Sequence, residues 1–115
     1  MRAEDRIRLQ HMLDAAREAI HAVRQRTRRD LERDHVWALG LVKCLEIIGE
    51  AASRVSRQTQ EGAPAVPWAE VVAMRNRLVH AYFDVDLDQV WLAVTQDLPA
   101  LVAELSRVLS AERAT

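Results

Sequence analysis

The sequence predicts an all-α fold, a bundle of four or five helices. Three observations carry that prediction. Only three Gly and three Pro occur in 115 residues, too few for the many turns of an all-β chain. Apolar residues recur at three- and four-residue steps, which is the period of one helix face. Half the residues are hydrophobic while the net charge is only −1, which excludes a disordered chain.

The first helix is expected from Ala3 to about Arg26. Ile7, Leu13, Ala16, Ile20 and Val23 form its apolar stripe, and Arg8, Asp14, Arg17 and Arg24 its polar face. Arg24 to Arg33 is charge-dense and apolar-poor, with Arg24, Arg26, Arg28, Arg29 and Arg33. It reads as a turn or frayed connector that either stays solvated or contacts RNA or an acidic partner. Asp34 suits the cap of a second helix running to about Arg57. Its apolar residues, among them Val36, Leu39, Leu41, Val42, Leu45, Ile47 and Ile48, cover more than one face, as expected of a central helix. Gly40 and Gly49 lie inside this helix and each costs roughly 1 kcal/mol in propensity. With Ala51 and Ala52 they predict a close helix–helix approach.

Gly62, Pro64 and Pro67 mark the one clear loop, residues 59–67. Pro67 suits the first turn of a third helix, because its missing N–H would be unpaired there anyway. That helix is expected from Trp68 to His80 or Tyr82. Asp86 with Gln89 three residues on reads as a cap and its capping-box partner. The last helix follows from Leu87 to about Leu109, with a kink or break at Pro99. The expectation is one domain spanning residues 1–115.

Composition narrows function. One cysteine, Cys44, forbids an internal disulfide and cannot make a thiolate zinc site alone. Its neighbours Leu41, Val42, Leu45 and Ile48 suggest a buried, inert thiol. The start of the chain lacks a signal-peptide pattern and no 18-residue apolar run occurs, so a soluble, cytoplasmic protein with no membrane partner is expected. Charge is uneven: residues 1–33 hold nine Arg against six Asp or Glu, and the remainder seven basic against eleven acidic groups. The overall balance argues against a uniformly basic nucleic-acid coat.

Glycine-rich phosphate loops, His-Glu-x-x-His pairs and nucleophile elbows are absent from the sequence. His11, His21 and His35 do not recur with carboxylates at helical spacing, and surface or packing roles suit them. Trp37, Trp68 and Trp91 are too far apart in sequence to suggest a stacking platform, and core or interface anchoring fits better. Residues 74–88 differ. They gather Arg75, Asn76, Arg77, His80 and Tyr82, and hold the only Tyr and only Phe of the chain. On a helix Arg75 and Tyr82 would project together, and Asn76 and His80 would form an i, i+4 pair. Histidine titrates nearest neutrality and can serve as general base or acid. Arginine offers a fork of donors to phosphate oxygens. The set suits phosphodiester chemistry without a metal, or else ties the third helix to its neighbours.

Arg75-Asn76-Arg77-Leu78-Val79-His80-Ala81-Tyr82 matches Arg-x4-His-x-Tyr, and on it the chain resembles the HEPN superfamily. Its longer context resembles the HepT-like ribonuclease toxins that pair with MntA-type minimal nucleotidyltransferase antitoxins. Leu45-Glu46-Ile47-Ile48-Gly49-Glu50-Ala51-Ala52, Pro67-Trp68, and Phe83-Asp84-Val85-Asp86-Leu87-Asp88 leading to Trp91 are similar to that family's other segments. The resemblance implies a homodimeric HEPN-type bundle with motif helices of two protomers lining one cleft. It implies a metal-independent endoribonuclease, without cofactor or bound metal, acting on tRNA or mRNA in a type II/VII-like toxin–antitoxin system. By the same resemblance His80 would act on the 2′-hydroxyl or leaving oxygen, Arg75 would hold the phosphate and Asn76 would orient the pair. Tyr82 would accept AMP from the partner nucleotidyltransferase, and Glu50 could support the motif or the partner subunit. The competing expectation is a non-catalytic module that docks a nucleotidyltransferase.

Overall fold

A computed structural model describes residues 1–81 and 84–114, with 79–81 and 114 in backbone only. Its helices are α1 (Ala3–Val23), α2 (Asp30–Arg33), α3 (His35–Ser53), α4 (Arg57–Glu61), α5 (Trp68–Leu78), α6 (Leu87–Leu92) and α7 (Leu98–Ala114). Residues Ala93–Asp97 join α6 to α7 as a π-helical segment, so residues 87–114 form one long rod. Two very short strands, β1 (Val79–Ala81) and β2 (Asp84–Val85), pair antiparallel between α5 and α6. The all-α expectation holds: four long helical stretches and two single-turn helices make an HEPN-type bundle.

α1 lies against α3 and α7, while α3 packs on its other flank against α5. The core is built from Leu9, Met12 and Ala16 of α1, Leu41, Leu45 and Ile48 of α3, and Met74 and Leu78 of α5. Val90, Val94, Leu98 and Leu105 close it from the long rod. The buried stripe of α1 is therefore Leu9, Met12, Leu13, Ala16 and Ala19; Ile7, expected within it, is 53% exposed.

The ends of the elements follow from local chemistry. α1 stops at Val23, three residues before the expected end, and Gln25 takes a left-handed backbone with φ of 61°. The connector is partly ordered by its own charges. Thr27 N–H donates to the Asp30 carboxylate at 2.7 Å, and Arg28 pairs with Glu32 and, at 2.8 Å, with Asp88 of α6. Arg26 lies 4.4 Å over the Trp37 ring, an arrangement that holds cation and aromatic together.

Asp34 caps α3 as predicted, its carboxylate accepting the Trp37 N–H at 3.1 Å. The helix ends at Ser53 rather than Arg57, because Ser56 starts the separate turn α4. Ser56 is fixed there by Asp5, a carboxylate only 3% exposed. Asp5 accepts from the Ser56 N–H at 3.0 Å, the Ser56 hydroxyl at 2.6 Å and the Thr59 hydroxyl at 2.7 Å. A buried charge so satisfied pins the start of α1 to α4. Burial raises its pKa, but these hydrogen bonds and the nearby Arg2 outweigh that and leave it below the ordinary value.

Pro67 sits just before α5, its carbonyl accepting the Val71 N–H at 3.0 Å. Asp86 caps α6, accepting the Gln89 N–H at 3.1 Å. Its own N–H donates to the Leu78 carbonyl at 2.6 Å, tying the end of α5 to the start of α6. Near Pro99 the helical rod does not break. A proline ring collides with the carbonyl four residues back, here Thr95, and the chain widens into a π segment over 93–97 instead.

Gly49 matches the predicted close approach. A Cβ there would meet the Val71 carbonyl oxygen at 3.2 Å and that of Val72 at 3.6 Å. Gly40 does not: a Cβ there would meet nothing within 4 Å. Cys44 is half-buried rather than fully enclosed. Its pKa is nonetheless raised by burial and by Glu18. Among the described residues, no helix is long and apolar enough to cross a membrane.

Candidate active site

The motif segment changes conformation halfway along. α5 carries Arg75, Asn76 and Arg77, then ends at Leu78, and the backbone of His80 belongs to β1. This corrects the expectation of one helix to His80 or Tyr82. The Asp86 N–H on the Leu78 carbonyl and the ladder pairing Val79 with Val85 and Ala81 with Asp84 hold this stretch as paired strands rather than helix. Pairing of β-branched Val79 with Val85 overrides the helical reading. Asn76 and His80 are therefore not an i, i+4 helical pair. Tyr82 and Phe83 lie outside the described residues, as does the side chain of His80.

Arg75 is set by the packing of α5 on α3. The two helices run antiparallel: Gly49 meets the carbonyls of Val71 and Val72, and Glu46, almost a turn earlier on α3, faces Arg75 on α5. The glycine lets the backbones close up, and Glu46 then holds the guanidinium, Nε to Oε1 3.7 Å. The Arg75 side chain remains 69% exposed against 30% for Glu46, so the arginine is tethered yet free to reach a ligand.

Arg75 stands on the edge of a shallow saddle of about 390 Å³ that crosses the outer face of α3. α1 contributes Arg8 and His11 to its far wall. The floor is Lys43, Glu46, Ile47 and Glu50 of α3 with Arg54 just past its end. The predicted residues Arg75 and Glu50 are thus brought to one surface. Glu50 pairs with Arg54 at 2.8 Å, both exposed. Asn76 is exposed one position along α5 and is not part of the saddle wall. Sequence reading passed over Arg8, Lys43, Glu46 and Arg54 and gave His11 no role. Their signal was there in the spacing: Lys43, Glu46, Glu50 and Arg54 advance by three, four and four residues, and Arg8 and His11 by three.

Among the described residues no group of three His, Cys, Asp or Glu side chains could hold a metal ion. The Arg24–Arg33 stretch lies apart from the saddle, with Arg26 and Arg28 engaged by Asp34, Glu32 and Asp88. Trp37, Trp68 and Trp91 are half-buried against the core, and Trp68 donates its indole N–H to the Ala63 carbonyl at 3.0 Å.

An all-α HEPN-type bundle with Arg75 of the Arg-x4-His motif at the edge of a basic saddle defines the class. Residues 12–108 match the family described as Ribonuclease HepT-like, and the chain belongs to that family of ribonucleases. A protein of Caldanaerobacter subterraneus subsp. tengcongensis named as a candidate RNase is 31% identical over 105 residues, covering 91% of this chain and 94% of that one. A candidate ribonuclease HepT of Thermococcus cleftensis is 33% identical over 100 residues, covering 84% and 91%. A candidate RNase of Methanocaldococcus jannaschii is 31% identical over 100 residues, covering 87% and 92%. No solved structure matches the chain significantly.

Proposed function

We propose that this chain is a metal-independent endoribonuclease, the toxin of a toxin–antitoxin pair. The observation that carries the reading is Arg75. It belongs to the family's motif, is exposed, and borders a saddle holding three further cations, Arg8, Lys43 and Arg54. An RNA phosphate placed there would exchange the long Glu46 contact for charge-assisted hydrogen bonds to the guanidinium.

The chemistry proposed is transesterification. His80 takes the proton from a ribose 2′-hydroxyl as its oxygen attacks the adjacent phosphorus. The bond from phosphorus to the 5′-oxygen breaks, and a protonated imidazole returns a proton to that leaving oxygen, leaving a 2′,3′-cyclic phosphate and a 5′-hydroxyl. Arg75 stabilises the charge growing on the phosphoryl oxygens, Asn76 orients the pair, and Glu50 supports the site through its tie to Arg54. Tyr82 is the proposed AMP acceptor for an MntA-type nucleotidyltransferase. A bulky anion beside His80 would fill the site and repel RNA phosphates.

The active form proposed is a homodimer. The N-terminal half of α3 supports this, with Val36 80% and Leu39 45% exposed beside Gly40, where a Cβ would meet nothing within 4 Å among the described residues. An uncovered apolar face with a glycine suits close approach of a second helix. In the test, purified unmodified protein is incubated with cellular RNA in EDTA. Cleavage is expected, and loss of cleavage in His80→Ala and Arg75→Ala with the dimer retained. Absence of cleavage by unmodified protein sinks the enzyme reading, and would leave the docking module.

A further inference from the structure

We infer that the saddle across α3 is a track for single-stranded RNA, with Arg8 and Lys43 gripping backbone phosphates beyond the one held by Arg75. The inference rests on the ribonuclease reading and extends it from the scissile phosphate to the strand around it. The charges of the saddle support it. Its two carboxylates already have partners, Glu46 with Arg75 and Glu50 with Arg54. Arg8 and Lys43 have no ion-pair partner among the described residues, so the surface carries two uncompensated positive charges in a chain whose net charge is −1. Cations left unpaired around a concave surface attract a polyanion.

Shape and floor choose between nucleic acids. A hollow of about 390 Å³ has the size of a small-ligand site. A reader of double helices instead spans roughly 16 base pairs. From Lys43 to Arg54 the floor runs about 16 Å at 1.5 Å per residue, room for more than one nucleotide. Ile47, 40% exposed, lies between the cations as an apolar rest for a base. Among the described residues no Phe, Tyr or Trp lines the saddle, so the grip proposed there is through phosphates and carries little base preference.

The test measures binding of a fluorescein-labelled 20-nucleotide single-stranded RNA of mixed sequence to the His80→Ala protein by anisotropy, from 50 to 300 mM KCl. Arg8→Ala and Lys43→Ala are added together, with Arg29→Ala and Arg33→Ala, both exposed in the connector, as the control pair. Each single-strand phosphate contact adds about 0.7 to the salt slope, which at 50 mM is worth on the order of tenfold in affinity. The saddle pair is expected to lower the slope by about 1.4, with unchanged melting, and the connector pair to leave it alone. Unchanged affinity and slope in the saddle pair overturns the inference, as does equal loss in the connector pair. Cleavage of the same RNA by the wild-type protein separates the two readings. Cleavage with binding indifferent to Arg8 and Lys43 defeats the track alone. Binding that needs them without any cleavage keeps the track and defeats the nuclease.

Discussion

The two glycines of α3 should respond to alanine in opposite directions, and the difference reaches the site. In a helix interior Gly→Ala gains about 1 kcal/mol of propensity. At Gly40 nothing opposes that gain, since the added Cβ has open space within 4 Å. Gly40→Ala should therefore raise the melting temperature of dilute protein by about 4 °C. At Gly49 the same methyl would sit 3.2 Å from the Val71 carbonyl oxygen. The obstacle is backbone inside α5, which cannot turn away as a flexible side chain can. Overpacking of this kind typically costs 1–3 kcal/mol, so the gain is cancelled and the net change is a loss of up to about 2 kcal/mol.

The strain at Gly49 has one direction of relief, outward movement of α5. That movement lengthens the Arg75–Glu46 contact, already 3.7 Å, and carries the motif with it. Gly49→Ala is therefore expected to reduce RNA cleavage well beyond its effect on melting, whereas Gly40→Ala leaves the Arg75–Glu46 contact within the protomer unchanged and acts on cleavage only through the proposed dimer face. Thermal melts at low concentration, paired with cleavage rates measured far below the melting point, check both. Shifts of the same sign in the two variants would refute the packing argument. A strongly destabilised Gly49→Ala with full cleavage would refute the link from α5 spacing to the site.

Three further outcomes follow from other parts of the molecule. Asp5→Asn should cost roughly 2–3 kcal/mol at pH 7, because it strips a charge from three hydrogen bonds that fix α4. The folded-state pKa of Asp5 is lowered, so its stabilisation is present above the unfolded value of about 3.9 and is lost as pH falls through the lower folded value; chemical denaturation across pH 3–7 should show the wild type and variant converging in acid. Cys44, its pKa raised by burial and Glu18, should react with a thiol reagent at pH 7.5 more slowly than free cysteine, and a faster rate would contradict that environment. Co-expression with a nucleotidyltransferase partner should add the mass of one AMP to the wild type and none to Tyr82→Phe, read by intact mass spectrometry.

Local signals were legible wherever local chemistry decided the outcome. Asp34 and Asp86 cap the helices their sequence positions announced, because a cap needs only a carboxylate and an N–H three residues on. The second half of the expected capping box is absent from the Asp86 backbone bonding for the opposite reason: that N–H goes to Leu78, eight residues back. The end of α5 is decided by the same long-range bond, and no period within residues 74–82 encodes it. Val36, Leu39 and Ile47 likewise read as core in a helix apolar on several sides, yet they stay 80%, 45% and 40% exposed. Apolar patterning reports that a face avoids water and is silent on whether the cover comes from the same chain.

Net charge proves the weaker guide to nucleic acid here, and placement the stronger. The carboxylates near the basic N-terminal third and connector absorb much of the local charge: Arg26 meets Asp34, Arg28 meets Glu32 and Asp88, and Arg6 lies near Glu112 at 3.8 Å. The stretch richest in arginine is thus partly spent on holding elements together. Lys43 is isolated in sequence and Arg8 is one of nine arginines in the first 33 residues, yet the packing of α1 on α3 brings both beside Arg75 with no ion-pair partner among the described residues. An enzyme acting on one phosphodiester at a time needs a few cations along one strand rather than a basic coat. Extra arginines elsewhere would add non-specific affinity and slow product release. A chain of net charge −1 can therefore bind RNA where it cuts and repel it elsewhere, provided folding, rather than composition, decides which positive charges stay free.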